Sequence, residues 1–258
     1  MVLISGNFDI SIGAIYTLVP LLALRMFDAS NSVMLFIGVG LVAGLAAGLV
    51  NGFVVTKGRI NSFIATLGTA LIFFGLSYLV TDGTILRLSD LDVRSLVTTR
   101  ILGLTSSTWI AVAALVIAWI LLERTRFGRY LFAIGGNREA ARLAGVPVDR
   151  IIIIVFALVG VAAGLAGTMN TARTLTAQAS DDFSLVFTVI AAVVVGGTSI
   201  AGGFGAIWRT VVGVFFIAML GNGFNLNGID PVIQRIIEGL VILAAVGLDA
   251  WSRSRRAT

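Results

Sequence analysis

Long apolar blocks follow one another along nearly all of this 258-residue chain. Helices of about 20 apolar residues cross the ~30 Å hydrocarbon layer of a bilayer, and blocks of about this length recur here. An outer-membrane β-barrel would instead show ~10-residue segments of alternating polarity. We therefore predict an all-α fold, a polytopic transmembrane helical bundle of about eight spans. The predicted spans are 11–27, 33–55, 62–80, 107–122, 151–169, 187–201, 206–222 and 232–250.

Residue inventory narrows the chemistry that such a bundle can perform. The chain is 58% hydrophobic and 12% charged, against about 25% charged residues in soluble domains. It contains no cysteine and no histidine, so the usual zinc ligands and the commonest general base are missing. We predict a protein that is not an enzyme, with no catalytic residue, no metal site and no cofactor.

Basic residues fall in connections that the predicted spans place on one side of the membrane. Cytoplasmic connections of membrane proteins carry an excess of Lys and Arg, so we assign this side to the cytoplasm and 28–32, 81–106 and 170–186 to the outside. The outer 81–106 segment has three arginines, but Asp82, Asp90 and Asp92 accompany them. The net charge of +5 reflects this orientation, and we predict no nucleic-acid partner. The cytoplasmic basic residues are Lys57, Arg59, Arg124, Arg126, Arg129, Arg138, Arg142, Arg150, Arg253, Arg255 and Arg256.

Glycines recur at four-residue spacing within two of the predicted spans, at Gly40, Gly44 and Gly48 and at Gly160 and Gly164. Small residues at this spacing form a face on which two membrane helices approach closely. We favour this packing role over a role in lining a transport pathway.

The stretch AIGGNREAARLAGVPVDR, residues 133–150, interrupts the apolar blocks with a short charged helix. Asn137 is a good N-cap, Gly145 is placed for a C-terminal cap, and Pro147 prevents continuation. Isolated helices under about 12 to 15 residues are marginal in water, so this helix must dock against something. It could lie flat on the membrane surface or contact a separate cytoplasmic protein. Its small alanine face, with Leu143 as the one large apolar residue, favours a protein partner.

Several motifs together resemble a known family. They are GNFDISIGAI, GLVNGFVVTKGRINSFIATLGTAL, TRFGRYLFAIGGNREAARLAGVPVDR, ARTLTAQ, IAAVVVGGTSIAGGFG and GNGFNLNGIDPVIQRIIEGLVILAAVGLDAW. In this order and spacing they resemble the permease subunits of ribose-type, monosaccharide ABC importers. The resemblance covers nearly the whole chain and implies one transmembrane permease domain, 1–258, with a cytoplasmic coupling loop at 123–150.

The resemblance implies an ATP-driven importer in the bacterial inner membrane that translocates a monosaccharide or related polyol. Its implied partners are ATP-binding cassette ATPase subunits, which carry out ATP hydrolysis, a periplasmic or extracellular sugar-binding protein, a second permease and the lipid bilayer. An ABC permease for branched-chain amino acids is one alternative. A self-contained secondary transporter is another, but it needs an ion-coupling site within the membrane, and the sequence has few charged residues in mid-span.

The same resemblance assigns two groups of site residues. The glycine-rich group lacks the Lys of a phosphate-binding Walker A loop, so we expect it to form a tight turn. The ATPase-coupling motif comprises Gly135, Gly136, Asn137, Glu139, Ala140, Ala141, Arg142 and Gly145, with Glu139 and Arg142 expected at the ATPase surface. The glycine-rich turn comprises Gly196, Gly197, Thr198, Ser199, Gly202 and Gly203.

Polar residues within or beside the spans are candidates for a sugar pathway. Asp9, with Asn7 and Ser11, stands at the mouth of the first span, where it could cap a helix after a break or line the route. Asn51 and Asn222 are further pathway candidates, because amide groups bind neutral sugars.

The chain departs from the family pattern at two places. Similar permeases carry acidic residues where this chain has Val186 and Thr188, so any acidic role there is either lost or taken by Asp181 and Asp182. Relatives also have further hydrophobic segments ahead of GNFDIS, which begins here at residue 6. We therefore expect a chain that is short at its amino end to assemble poorly or transport weakly.

Overall fold

The computed structural model describes residues 1–30, 32–88 and 91–254, and long helices occupy most of them. A short π-helical segment, Ile120–Arg124, continues α5. The helices are α1 (Ile12–Ser30), α2 (Val33–Lys57), α3 (Ser62–Thr81), α4 (Leu91–Thr98), α5 (Ser106–Trp119), α6 (Arg126–Gly136), α7 (Arg138–Leu143), α8 (Val148–Thr174), α9 (Ser184–Val195), α10 (Ile207–Leu226) and α11 (Pro231–Ser254).

Each predicted span coincides with one of these helices, which confirms the all-α membrane bundle. Within the described residues, five helical segments are long and apolar enough to cross a bilayer: Val33–Lys57, Ser62–Thr81, Ser106–Arg124, Val148–Thr174 and Ile207–Leu226. The predicted span 187–201 was wrong at its end, because α9 stops at Val195 and a turn follows. Its 12 residues rise only about 18 Å, and the number of full spans stays a prediction.

The most extensive contact between helices is that of α8 with α2, which pack against each other along most of their length. The two predicted glycine faces meet each other in this seam. A Cβ atom added to Gly44 would lie 2.5 Å from the Gly160 carbonyl oxygen, and one added to Gly164 would lie 2.7 Å from the Gly40 carbonyl oxygen. Side chains would push these backbones apart, so the prediction of a close packing face is confirmed. The large buried side chains of α8, Phe156 and Ile152, lie in one apolar cluster with Val55 of α2.

Contacts across the bundle fix which connections share an end. Lys57, at the end of α2, pairs with Asp149, at the start of α8, with 3.7 Å between Nζ and Oδ2. We call this the basic end. At the opposite end, β1 (Leu86–Arg87) pairs antiparallel with β4 (Thr176–Ala177), so the 81–106 and 170–186 connections meet. The predicted grouping of these connections is thereby confirmed, although Asp90, Arg255 and Arg256 lie outside the described residues.

The opposite end also contains structure that the sequence analysis treated as a plain loop. Helix α4 buries Val93 and Val97, and a hairpin of β2 (Arg100–Ile101) and β3 (Leu104–Thr105) leads into α5. The two valines are spaced four apart and so face the same side of a helix, a pattern too short to stand out beside the apolar blocks.

Candidate functional site

The charged stretch at the basic end folds as two consecutive helices, α6 and α7. Asn137 follows the last residue of α6. Its side chain caps α7 by accepting a hydrogen bond from the Ala140 backbone N–H at 2.9 Å. Gly145 follows with φ +81°, a left-handed conformation that glycine adopts without strain. The predicted short helix between Asn137 and Gly145 is therefore confirmed, whereas α6 was not predicted.

An ion pair links α7 to the start of α8, where Asp149 also pairs with Lys57 at the end of α2. Arg142 pairs with Glu139 at 3.6 Å on its own helix and with Asp149 at 3.9 Å. All three side chains are more than one third exposed, and exposed pairs contribute only about 0 to 1 kcal/mol. Ala141 is buried against the bundle, while Leu143 is 83% exposed. Helix α7 is thus weakly tethered and presents a large apolar side chain to the surroundings.

The two glycine motifs of the sequence meet at a junction just before α7. A Cβ atom on Gly135 would collide with the Ile4 carbonyl oxygen and with the backbone nitrogen of Gly203. The Gly203 N–H donates to that same Ile4 oxygen at 2.8 Å. A Cβ on Gly202 would lie 2.9 Å from the Gly6 Cα. This glycine junction joins the chain's first turn, the end of α6 and the connection between α9 and α10.

The rest of the glycine-rich group forms the predicted turn. The Ser199 N–H donates to the Phe204 carbonyl at 3.0 Å and closes it. Gly197 has φ +86°, and Gly196 packs against the Arg209 carbonyl. Thr198 is 2% exposed, and its Oγ1 has no hydrogen-bond partner among the described residues.

A chain of buried hydrogen bonds connects the segment before α1 with α2 and α3. Asp9 Oδ1 accepts from the Ser11 N–H at 2.9 Å and from the Ser11 hydroxyl at 2.6 Å. Asn51 Nδ2 donates to the Ser11 Oγ at 2.6 Å, and the Thr69 hydroxyl donates to Asn51 Oδ1 at 2.6 Å. The Asp9–Ser11 turn lies directly before Ile12, which fits the capping interpretation of Asp9.

The backbone of this same segment is satisfied by hydroxyl groups of α3. Ser62 Oγ accepts from the Phe8 N–H at 3.0 Å, and Thr66 Oγ1 accepts from the Ile10 N–H at 2.9 Å. Irregular backbone is tolerated inside a membrane bundle only where protein or a water-filled cavity satisfies its polar groups. The predicted pathway residues therefore lie in three different places. Asp9, Ser11 and Asn51 form one buried network. Asn7 lines a cavity at the basic end, and Asn222 is exposed on α10.

We expect Asn51→Ala to destabilise the protein by about 2 kcal/mol, because the buried Ser11 and Thr69 hydroxyls would both lose their amide partner. Asn222→Ala is the matched control, since this amide is exposed and its loss strands no buried group. The thermal midpoints of both variants, measured in the same detergent, test this. Equal midpoints would show that the buried network adds nothing to stability.

Two cavities open at the two ends of the bundle. The larger, about 940 Å³, lies at the basic end between the α2–α3 connection, α7 and the start of α8. The smaller, about 490 Å³, lies at the opposite end. Of its lining, Asp182 was singled out from the sequence, and Asn170 is noticeable there as an amide in an apolar block. The polar side chains around it include Tyr16, Thr17, Arg87, Asn170, Thr171, Gln178 and Asp182.

Asp182 links that smaller cavity to two helices. Its carboxylate accepts from the Ser184 N–H and hydroxyl, both at 2.8 Å, and pairs with Arg235 of α11 at 3.7 Å. The Ser184 backbone and side-chain hydrogen bonds, with a smaller contribution from Arg235, lower the pKa of Asp182 below its ordinary value. The carboxylate is therefore ionised at neutral pH and caps the start of α9.

An all-α bundle of long apolar helices, with a charged helix displayed at one end and a cavity at each end, defines a multi-pass membrane protein. The chain belongs to the family described as "Branched-chain amino acid transport system / permease component", whose model matches residues 1–246. It is thus a permease component, a transport subunit and not an enzyme.

Relatives match this chain over nearly all its length. The L-arabinose transport system permease protein AraH of Escherichia coli (strain K12) is 38% identical over 256 residues, covering 99% of this chain and 78% of the relative. The ribose import permease protein RbsC of Bacillus subtilis (strain 168) is 39% identical over 250 residues, covering 96% and 78%. No solved structure matches significantly. The resemblance to ribose-type permeases is confirmed.

Proposed function

We propose that this chain is the membrane-spanning subunit of an ATP-driven importer for a monosaccharide or related polyol in the bacterial inner membrane. The observation that carries the proposal is its similarity, over nearly the whole chain, to permeases named for arabinose and ribose. The family description names branched-chain amino acids, but these relatives favour a sugar. The cavity at the opposite end offers hydroxyl, amide and aromatic groups, which suit a neutral sugar.

Helix α7 is the proposed contact with the ATPase subunits. It is capped at both ends, is held by weak ion pairs and exposes Leu143. A partner protein that binds the Leu143 side chain could therefore displace the helix. Its displacement reaches the chain's first turn and the α9–α10 connection through the glycine junction. ATP-driven closure of the ATPase dimer would then shift the population of bundle conformations, because each conformation makes different contacts with the partner. A second permease and a sugar-binding protein on the outer side complete the proposed assembly.

Reconstitution into proteoliposomes tests this function. We expect uptake of labelled L-arabinose or D-ribose only when the ATPase subunits, ATP and the binding protein are all present. The secondary-transporter alternative requires the chain alone to accumulate sugar when an ion gradient is applied. Uptake of leucine in place of sugar by the complete system would favour the branched-chain amino acid alternative.

The proposed orientation puts the basic end in the cytoplasm. Because the chain has no cysteine, single substitutions give an unambiguous labelling pattern. We expect Thr98→Cys, in the connection at the opposite end, to react with a membrane-impermeant maleimide applied to intact cells. Ala144→Cys, beside α7, is expected to react only after the cells are permeabilised. The reverse pattern would invert the topology and remove α7 from reach of an ATPase.

A further inference from the structure

The larger cavity, at the basic end, is strongly and asymmetrically charged. Five basic side chains and one carboxylate line it, giving a net charge of +4. A concave site lined by one sign of charge concentrates its field and attracts the opposite charge. The lining residues that carry charge are Lys57, Arg59, Arg138, Arg142, Arg150 and Asp149.

The single carboxylate is already engaged by two of the five bases. Asp149 pairs with Lys57 at 3.7 Å and with Arg142 at 3.9 Å. Among the described residues, no carboxylate lies within ion-pairing distance of Arg59, Arg138 or Arg150. Asp149 is therefore neutralised by Lys57 and Arg142, and the other three guanidinium groups of the lining, which are exposed, have no carboxylate partner among the described residues.

The lining suits a water-soluble acidic segment. The valines of the cavity, Val55 and Val148, are 4% and 3% exposed, so the charged and polar side chains of the lining are what an occupant meets. A volume of about 940 Å³ also exceeds what a single ion needs. The displayed side chain of Leu143 stands on the helix that forms one wall, so a protein seated on α7 reaches the cavity directly.

We infer that a carboxylate-bearing segment of the ATPase subunit enters this cavity, so that the docking footprint extends beyond α7 to Arg59 and Arg150. The inference rests on the proposed function and adds the chemistry of the partner surface. Guanidinium groups bind carboxylates through paired, charge-assisted hydrogen bonds. Such contacts orient the ATPase on the permease and accelerate its association.

The double variant Arg59→Gln, Arg150→Gln tests the cavity separately from α7, because neither residue belongs to that helix. The matched control is Arg94→Gln, Arg100→Gln, which removes two exposed arginines at the opposite end of the bundle, outside both the cavity and the 123–150 coupling loop. Permease and ATPase are co-expressed, and the ATPase retained on the tagged permease is measured at low and high salt. We expect ~10-fold weaker retention and a flatter salt dependence for the cavity variant only.

Retention of the ATPase by the cavity variant at the level of the control would overturn the inference, and so would an equal loss in both variants. Repeating the measurement in nanodiscs of phosphatidylcholine, with and without phosphatidylglycerol, separates the lipid alternative. A defect seen only when the anionic lipid is present would identify a lipid headgroup as the occupant. Failure of the unmodified permease to retain the ATPase at all would instead contradict the proposed function.

Discussion

Exchanging the two charges of α7, by Glu139→Arg with Arg142→Glu, is expected to lower sugar uptake at least ~10-fold while membrane insertion stays normal. Insertion is insensitive because both side chains lie outside the apolar spans and an exposed pair contributes only about 0.3 to 0.5 kcal/mol to its helix. At a protein interface, the exchange sets like charges against each other and strands the partner's charges, which can cost about 2 to 5 kcal/mol.

Co-purification of the ATPase, measured beside uptake, shows whether the defect lies in docking. The exchange Asp28→Arg with Arg94→Asp, at the opposite end of the bundle, is the control, because both side chains are exposed and neither lies in the 123–150 coupling loop. Normal uptake and normal co-purification of the α7 variant would remove Glu139 and Arg142 from the coupling contacts. Helix α7 would then be a surface element lying along the membrane, the alternative that its sequence left open.

The second large effect is expected in the seam between α2 and α8. In Gly48→Ala, the new methyl group meets the Phe156 carbonyl oxygen, and its distance to the Ala157 Cα would be only 2.9 Å. Backbone atoms of a packed helix cannot rotate away, so the two helices must separate, at a cost of about 1 to 3 kcal/mol.

Gly38→Ala is the control on the same helix, because a Cβ there has no heavy atom within 4 Å. It should be neutral or slightly stabilising, since alanine favours helix by up to about 1 kcal/mol. Thermal midpoints and the yield of monodisperse protein in detergent distinguish the two. If both variants unfold at the same temperature, the seam is more compliant than its backbone distances indicate.

Most of the helical bundle could be predicted, because each long apolar block has one stable solution in a bilayer. The start and stop of α7 were also predictable, since Asn137 and Gly145 act through local backbone geometry. The span 187–201 failed because Gly196 and Gly197 break a block whose composition is mostly apolar. Hydropathy describes how strongly a residue prefers an apolar environment. It does not indicate where the backbone leaves the helix and turns.

The arrangement of the candidate site was harder to predict from the sequence, because it depends on contacts between distant parts of the chain. Gly135 and Gly202 were each identified within a motif, yet no local property of either reveals that they lie against the chain's first turn. Likewise, Arg59 and Arg150 read as orientation signals until the fold brings them around one cavity. The sequence identifies residue types and local caps, whereas the cavities arise only from tertiary packing.

The glycine junction has a mechanical consequence. A contact between side chains can absorb a small displacement through rotamer changes, but Ile4, Gly135 and Gly203 meet through backbone atoms alone. Packed interiors have low compressibility and transmit strain. In the glycine junction no flexible side chain lies between the three backbone segments to absorb a displacement. The end of α6 therefore cannot shift without moving the chain's first turn and the α9–α10 connection in step, which makes the three segments behave as one stiff body.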